Sequence, residues 1–145
     1  MSSESIIMFY ASDNNYHRGY ASTRRCWFVA EYLESTLYDI EYVKDSIDLL
    51  SSGHFDDLYY GPVVTPDYIN GVLNLSLGGY PSDQEESIAP KLLCNVLKQW
   101  LQVVAGKPNY IKMDIDWENE TIVMQGLEAW DGAMTSHDKS ILKKR

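Results

Sequence analysis

Asp114 and Asp116 stand two apart in the run Tyr110–Trp117. On a strand, residues at that spacing point the same way, so the two carboxylates could hold Mg²⁺ or divide acid and base work between them. Plain alternation is the simpler account. Ile111, Met113, Ile115 and Trp117 take one face and leave Lys112, Asp114 and Asp116 to water, and nothing adjacent supplies further metal ligands. Asp13, His17 and Arg18, with Arg24 or Arg25, could form an acid–base cluster or be the scattered polar groups of a loop. Cys26, beside Arg24 and Arg25 at a helix start, could carry a lowered thiol pKa. Its place on an apolar stripe argues instead for a buried structural thiol. His17, His54 and His137 are far apart and fit no metal-ligand spacing. The chain has no CxxC pair, phosphate loop, dinucleotide glycine motif or GxSxG elbow. These observations predict no catalytic residue, no metal and no cofactor, and a protein that is not an enzyme.

A second constellation is stronger. From Glu31 to Asp67 the chain places nine acids (Glu31, Glu34, Asp39, Glu41, Asp45, Asp48, Asp56, Asp57 and Asp67) against one base, Lys44. Six of the chain's 11 tyrosines, Tyr32, Tyr38, Tyr42, Tyr59, Tyr60 and Tyr68, are interleaved with them or directly follow. A solvated helix face with tyrosines half in the core would produce this pattern. So would a docking surface for a basic partner, with carboxylates steering encounter and tyrosines supplying contact area. Asp45, Asp48, Asp56, Asp57, Tyr59, Tyr60, Asp67 and Tyr68 are the candidate contact residues. The segment His54-Phe-Asp-Asp-Leu-Tyr-Tyr-Gly-Pro is their centre, with paired acids beside paired aromatics in an expected loop.

The whole chain of 145 residues has a formal charge of -9. Its last eight residues hold Lys139, Lys143, Lys144 and Arg145 against Asp138, so the body before them carries 20 acids and 8 bases. A body of that sign repels phosphate backbones and anionic lipid, so no direct nucleic-acid binding and no membrane docking are expected. No apolar run reaches the roughly 18–20 residues that span a bilayer. The opening Met1-Ser-Ser-Glu-Ser lacks the basic and apolar regions of a signal peptide, and Cys26 and Cys94 read as buried thiols of a reducing cytoplasm.

The elements that must position these residues read as α+β, about three helices on one face of a small antiparallel sheet. One globular domain covers residues 1–137, and residues 138–145 form a frayed basic tail. Ile6–Tyr10 is an edge strand or a first helical turn, and Ser12–Asn15 a turn. Ser22 or Thr23 caps a helix to about Ser35, and Ile40, Val43, Ile47 and Leu50 stripe a second that ends at Ser51-Ser52-Gly53. Leu37–Asp39 joins these helices or forms a strand. Tyr59–Val64 and Val72–Leu77 are strand-like, with Thr65–Gly71 a long hairpin connection or an exposed functional loop. Ser82 or Asp83 can cap a third helix, with Glu85 and Glu86 at its positive end. Pro90 places the regular start nearer Ala89, and Gly106 followed by Pro108 ends the helix. Tyr110–Trp117 and Thr121–Gln125 form a hairpin across Glu118-Asn119-Glu120.

A small, acidic, Tyr-rich α+β chain with no catalytic motif, carrying the 31–67 stretch and the DDLYYGP segment, resembles the bacterial immunity proteins of contact-dependent growth inhibition and related polymorphic toxin systems. The resemblance is one of overall character along the chain. It implies tight binding of a cognate toxin domain, commonly a basic nuclease whose groove an acidic inhibitor covers, and it carries over no catalytic residue. Two other readings stand beside it. One is a small enzyme of unrecognised fold using Asp114, Asp116 or His17; the other is an acidic adaptor or decoy that mimics nucleic-acid charge.

Overall fold

The computed structural model describes residues 4–10, 17–36, 40–58, 64–77 and 85–129. The architecture is α+β, but with two antiparallel sheets where the sequence predicts one. Strands β1 (Glu4–Tyr10), β2 (His17–Ala21), β6 (Tyr110–Asp116) and β7 (Thr121–Leu127) form the first sheet in the order β2-β1-β6-β7. Strands β3 (Val64–Ile69), β4 (Val72–Leu77) and β5 (Glu85–Ser87) form the second in the order β3-β4-β5. Helices α1 (Arg24–Thr36), α2 (Ile40–Ser52) and α3 (Pro90–Ala105) pack around them. The core-facing helix α1 touches strands of both sheets, while α3 packs on α2 and β7.

Alternation builds the first sheet. Ile6 pairs with Met113, which pairs with Met124, and Met8 pairs with Ile111. These side chains, with Ile115 and Ile122, are buried on the core face. Because β1 lies between β2 and β6, Ile6–Tyr10 is an inner strand and not an edge strand. The edge is β2, whose sequence His-Arg-Gly-Tyr-Ala shows no apolar alternation and so gives no strand signal. At the opposite edge, Gln99 of α3 does what a further strand would do. Its side-chain amide donates to the Ile122 carbonyl (2.8 Å) and accepts from the Met124 N–H (3.0 Å).

Helix α1 starts where expected, with Thr23 Oγ1 accepting from the Cys26 N–H at 3.4 Å. Its buried side chains include Cys26, Val29, Ala30 and Leu33, and also Phe28 and Tyr32. The Tyr32 hydroxyl meets Ser46 of α2; burial pushes its pKa up to about 12, with the Ser46 contact opposing. In α2, Val43 and Leu50 are buried, whereas Ile40 at the first position stays exposed. Gly53 (φ +81) ends α2, with its N–H donating to the Leu50 carbonyl and the His54 N–H to the Leu49 carbonyl. This pair of bonds satisfies the last helical carbonyls and needs the left-handed glycine.

The second sheet departs furthest from the sequence reading. Strand β3 runs through Ile69, and Asn70 (φ 53) with Gly71 (φ 79) turns the chain in two residues. Thr65–Gly71 is therefore neither a long connection nor a loop, because positive φ at both central positions is the geometry of a tight hairpin turn. Glu85 and Glu86 belong to β5 and not to a helix start. The ring of Pro90 excludes helical backbone at Ala89 (ψ 134), so the chain before it stays extended and pairs with β4. Pro90 opens α3 as expected, and α3 buries Leu92, Leu93, Cys94, Val96, Leu97 and Trp100. Gly106 caps that helix in right-handed geometry, and Lys107 (φ 50) takes the left-handed position instead. Ser12–Asn15, Leu37–Asp39, Tyr59–Val63, Ser82, Asp83 and the tail from Ser136 lie outside the described residues.

Candidate functional site

Helical periodicity sets the acidic surface. With Val43, Ser46 and Leu50 turned to the core, Glu41, Lys44, Asp45, Asp48 and Ser52 fall on the opposite, exposed side of α2. The one cation of this stripe, Lys44, lies 3.6 Å from Glu41 Oε2. Asp45 and Asp48 have no ion-pair partner among the described residues. No basic residue occupies the last turn of α2, and Asp48, just before that turn, lies towards the negative end of the helix, with Asp45 near its middle.

The stripe continues past the end of α2. Ser52 Oγ donates to the Asp48 carbonyl (2.8 Å) and lies 2.8 Å from His54 Nδ1. Since the hydroxyl has one proton, the ring nitrogen is the donor to it. His54 leads into a 3₁₀ turn, Phe55–Asp57, whose Asp56 and Asp57 are exposed. Two anchors hold that turn. Leu58 is buried after it, and the Phe55 ring packs on Tyr68 of β3 with centroids 5.1 Å apart.

The structure thus gathers Asp45, Asp48, Asp56 and Asp57 along α2 and the turn, and joins Tyr68 to them through Phe55. Tyr68 is half-buried and serves more as a support for the turn than as open contact area. Asp67, its neighbour on β3, points to the other face of the second sheet, opposite Asn74. Tyr59 and Tyr60 lie outside the described residues. Ile69 and Val72 were not among the predicted contacts, yet they are exposed and pair across the tip of the β3–β4 hairpin. The Asn70-Gly71 dipeptide between two β-branched residues was the signal for that tip.

The other constellations resolve into structure. Asp114 Oδ2 lies 3.9 Å from Lys112 Nζ on the outer face of the first sheet. Asp116 accepts from the side-chain N–H (2.8 Å) and backbone N–H (3.1 Å) of Asn119, which fixes the β6–β7 turn and lowers its pKa. No group of three His, Cys, Asp or Glu residues gathers into a metal site among the described residues. Arg24 pairs with Glu86 at 3.3 Å. His17 and Arg18 fall on β2, while Asp13 and His137 lie outside the described residues. Burial pushes the Cys26 thiol pKa up, the reverse of an activated cysteine, and Cys94 is also buried and free.

Arg25 belongs to a network with Glu4 that no local pattern announces. Its guanidinium grips Glu4 with two bonds, Nε to Oε1 at 2.9 Å and Nη2 to Oε2 at 2.7 Å. Thr23 Oγ1 donates to the same Oε1 at 2.6 Å, and the guanidinium lies 4.6 Å from the centre of the Trp117 ring. The Arg25 bonds, opposed by burial and helped by Thr23, hold the Glu4 carboxyl at about 2. This cluster ties β1 to the start of α1.

No helix among the described residues is long and apolar enough to cross a membrane. No family model, curated protein or solved structure matches the chain.

Proposed function

We propose that this chain is an immunity protein that binds and neutralises a basic toxin domain in the cytoplasm, and that α2 and the 3₁₀ turn form its binding face. The observation that carries the reading is the set Asp45, Asp48, Asp56 and Asp57, exposed and without ion pairs among the described residues. Asp48 beside the last turn of α2, with the like charge of Asp45 three residues before it, disfavours the folded state. Such local conflict is expected where a surface serves a partner and not its own fold. Lys and Arg from a toxin would relieve it, and the field of the carboxylates would speed their encounter. A nuclease domain is the favoured partner, because its nucleic-acid groove presents the complementary charge.

The test is titration calorimetry against a panel of purified nuclease toxin domains from contact-dependent inhibition systems. The expected result is a 1:1 complex with one of them, weakened by the double variant D56K/D57K. If no domain of the panel binds, or if charge reversal leaves affinity unchanged, the reading fails.

A further inference from the structure

The β3–β4 hairpin adds a feature that the acidic face alone does not contain. Its tip is a two-residue turn, Asn70-Gly71, which keeps the two strands paired up to Ile69 and Val72. Ile69 and Val72 face each other directly behind the turn and are 39% and 46% exposed. Single exposed aliphatics are ordinary, but these two of the five large exposed hydrophobics among the described residues form a cross-strand pair on an exposed tip.

Carboxylates lie on both flanks of that tip. Asp67 is two residues from Ile69 on the same strand, so it shares the sheet face of the Ile69–Val72 pair. Tyr68 points to the opposite face, where it holds Phe55 and with it the exposed Asp56 and Asp57. A hairpin with an apolar pair and a carboxylate on one face and acids beside the other is complementary to a cleft with cationic walls, one of them with an apolar patch. It does not match a flat basic surface, which would meet one flank only.

Resting on the immunity reading, we infer that the β3–β4 hairpin is a wedge that enters the substrate cleft of the basic toxin domain. Asn70-Gly71 leads into the cleft, Ile69, Val72 and Asp67 meet one wall, and Asp56 and Asp57 meet the other. Inhibition is then direct occlusion of the cleft. Energy and rate divide accordingly. The desolvated tip governs how long the complex lasts, and the flanking charges govern how fast it forms.

The test uses the domain of the nuclease panel that binds the wild-type chain, with binding followed by surface plasmon resonance. The variant I69S/V72S should dissociate about tenfold faster or more, with its association rate within about twofold of wild type. D56N/D57N should associate more slowly at low salt and dissociate nearly as wild type. A short DNA duplex should compete with the wild-type chain for the domain. Unchanged dissociation of I69S/V72S, or simultaneous binding of duplex and chain, overturns the wedge and leaves the immunity reading standing. Failure of the wild-type chain to bind any domain overturns both. Sedimentation of the chain alone is the third arm. A dimer abolished by I69S/V72S would assign the tip to self-association and overturn the wedge, whereas a monomer is the expected result. Both substituted side chains are substantially exposed, and thermal melting confirms that the variant is folded.

Discussion

Replacing Asp48 by Asn should make the isolated protein more stable, which is the opposite of what most substitutions do. Asp48 is exposed and sits four residues before the end of α2 at Ser52, a helix with no base in its last turn. Its carboxylate meets the negative end of the helix, worth about 0.3–1 kcal/mol at low ionic strength. Asp45 lies three residues before it on the same stripe, adding a like-charge penalty of about 0.2–0.5 kcal/mol. Against these stands Lys44, four residues before Asp48, but its ammonium is already 3.6 Å from Glu41. Asn has nearly the helix propensity of Asp and keeps the shape of the side chain. The net gain for D48N is about 0.5–1 kcal/mol, or about 1–4 °C in melting temperature for a chain of this size. Urea unfolding in 20 mM and in 500 mM NaCl is the assay. The gain should appear at low salt and shrink at high salt, where surface charges are screened. A loss of stability at low salt, or a gain that ignores salt, would show that the stripe is an ordinary solvated face and remove the physical basis of the proposed binding site.

The Glu4–Arg25 cluster gives a prediction of opposite sign. With the Glu4 carboxyl at about 2 in the folded state against 4.5 as its ordinary value, its contribution is complete above 4.5 and is lost as pH falls from there towards 2. Allowing for the solvent exposure of Arg25, E4Q should cost about 1–3 kcal/mol at neutral pH and flatten the acid limb of the stability profile, read by urea melts between pH 2 and 7. At Gly126, an added Cβ would lie 2.9 Å from Pro108 Cβ, so G126A should destabilise by about 1–3 kcal/mol in the same melts. Q99A leaves the Ile122 carbonyl and the Met124 N–H without their partner and should cost about 1–3 kcal/mol, with faster amide exchange at Met124 as its local signature.

Where a segment's pattern is made by its own neighbours, the sequence was legible. The alternation of Ile111, Met113 and Ile115 gave β6, the stripe of Val43, Ile47 and Leu50 gave α2, and Pro90 gave the start of α3. The acidic stripe followed from the same periodicity. What escaped depends on partners distant in sequence. Glu4 and Arg25 meet across 21 positions, and nothing local marks either as half of an ion pair. β5 is a strand only because β4 is there to pair with it, and its acids matched a helix start as long as Pro90 was weighed alone. Within 31–68, acids and tyrosines alternate as if on one surface. The structure separates them by pleat and burial: Tyr32 is in the core, Tyr68 props the 3₁₀ turn, and Asp67 turns away from Asp56 and Asp57. Val72 fell in an expected strand and Ile69 in the expected connection, and their exposed pairing escaped because apolar side chains at a tight turn carry no sign of which way they face.

The central claim, neutralisation of a basic toxin through this acidic face, is tested most directly by titrating the chain into the nuclease domain that it binds and measuring residual nuclease activity. The account predicts complete inhibition at one equivalent for the wild-type chain, and a titration for D56K/D57K that is shifted to higher concentration at low salt. Full nuclease activity in the presence of excess bound wild-type chain, or equal inhibition by D56K/D57K, would contradict it.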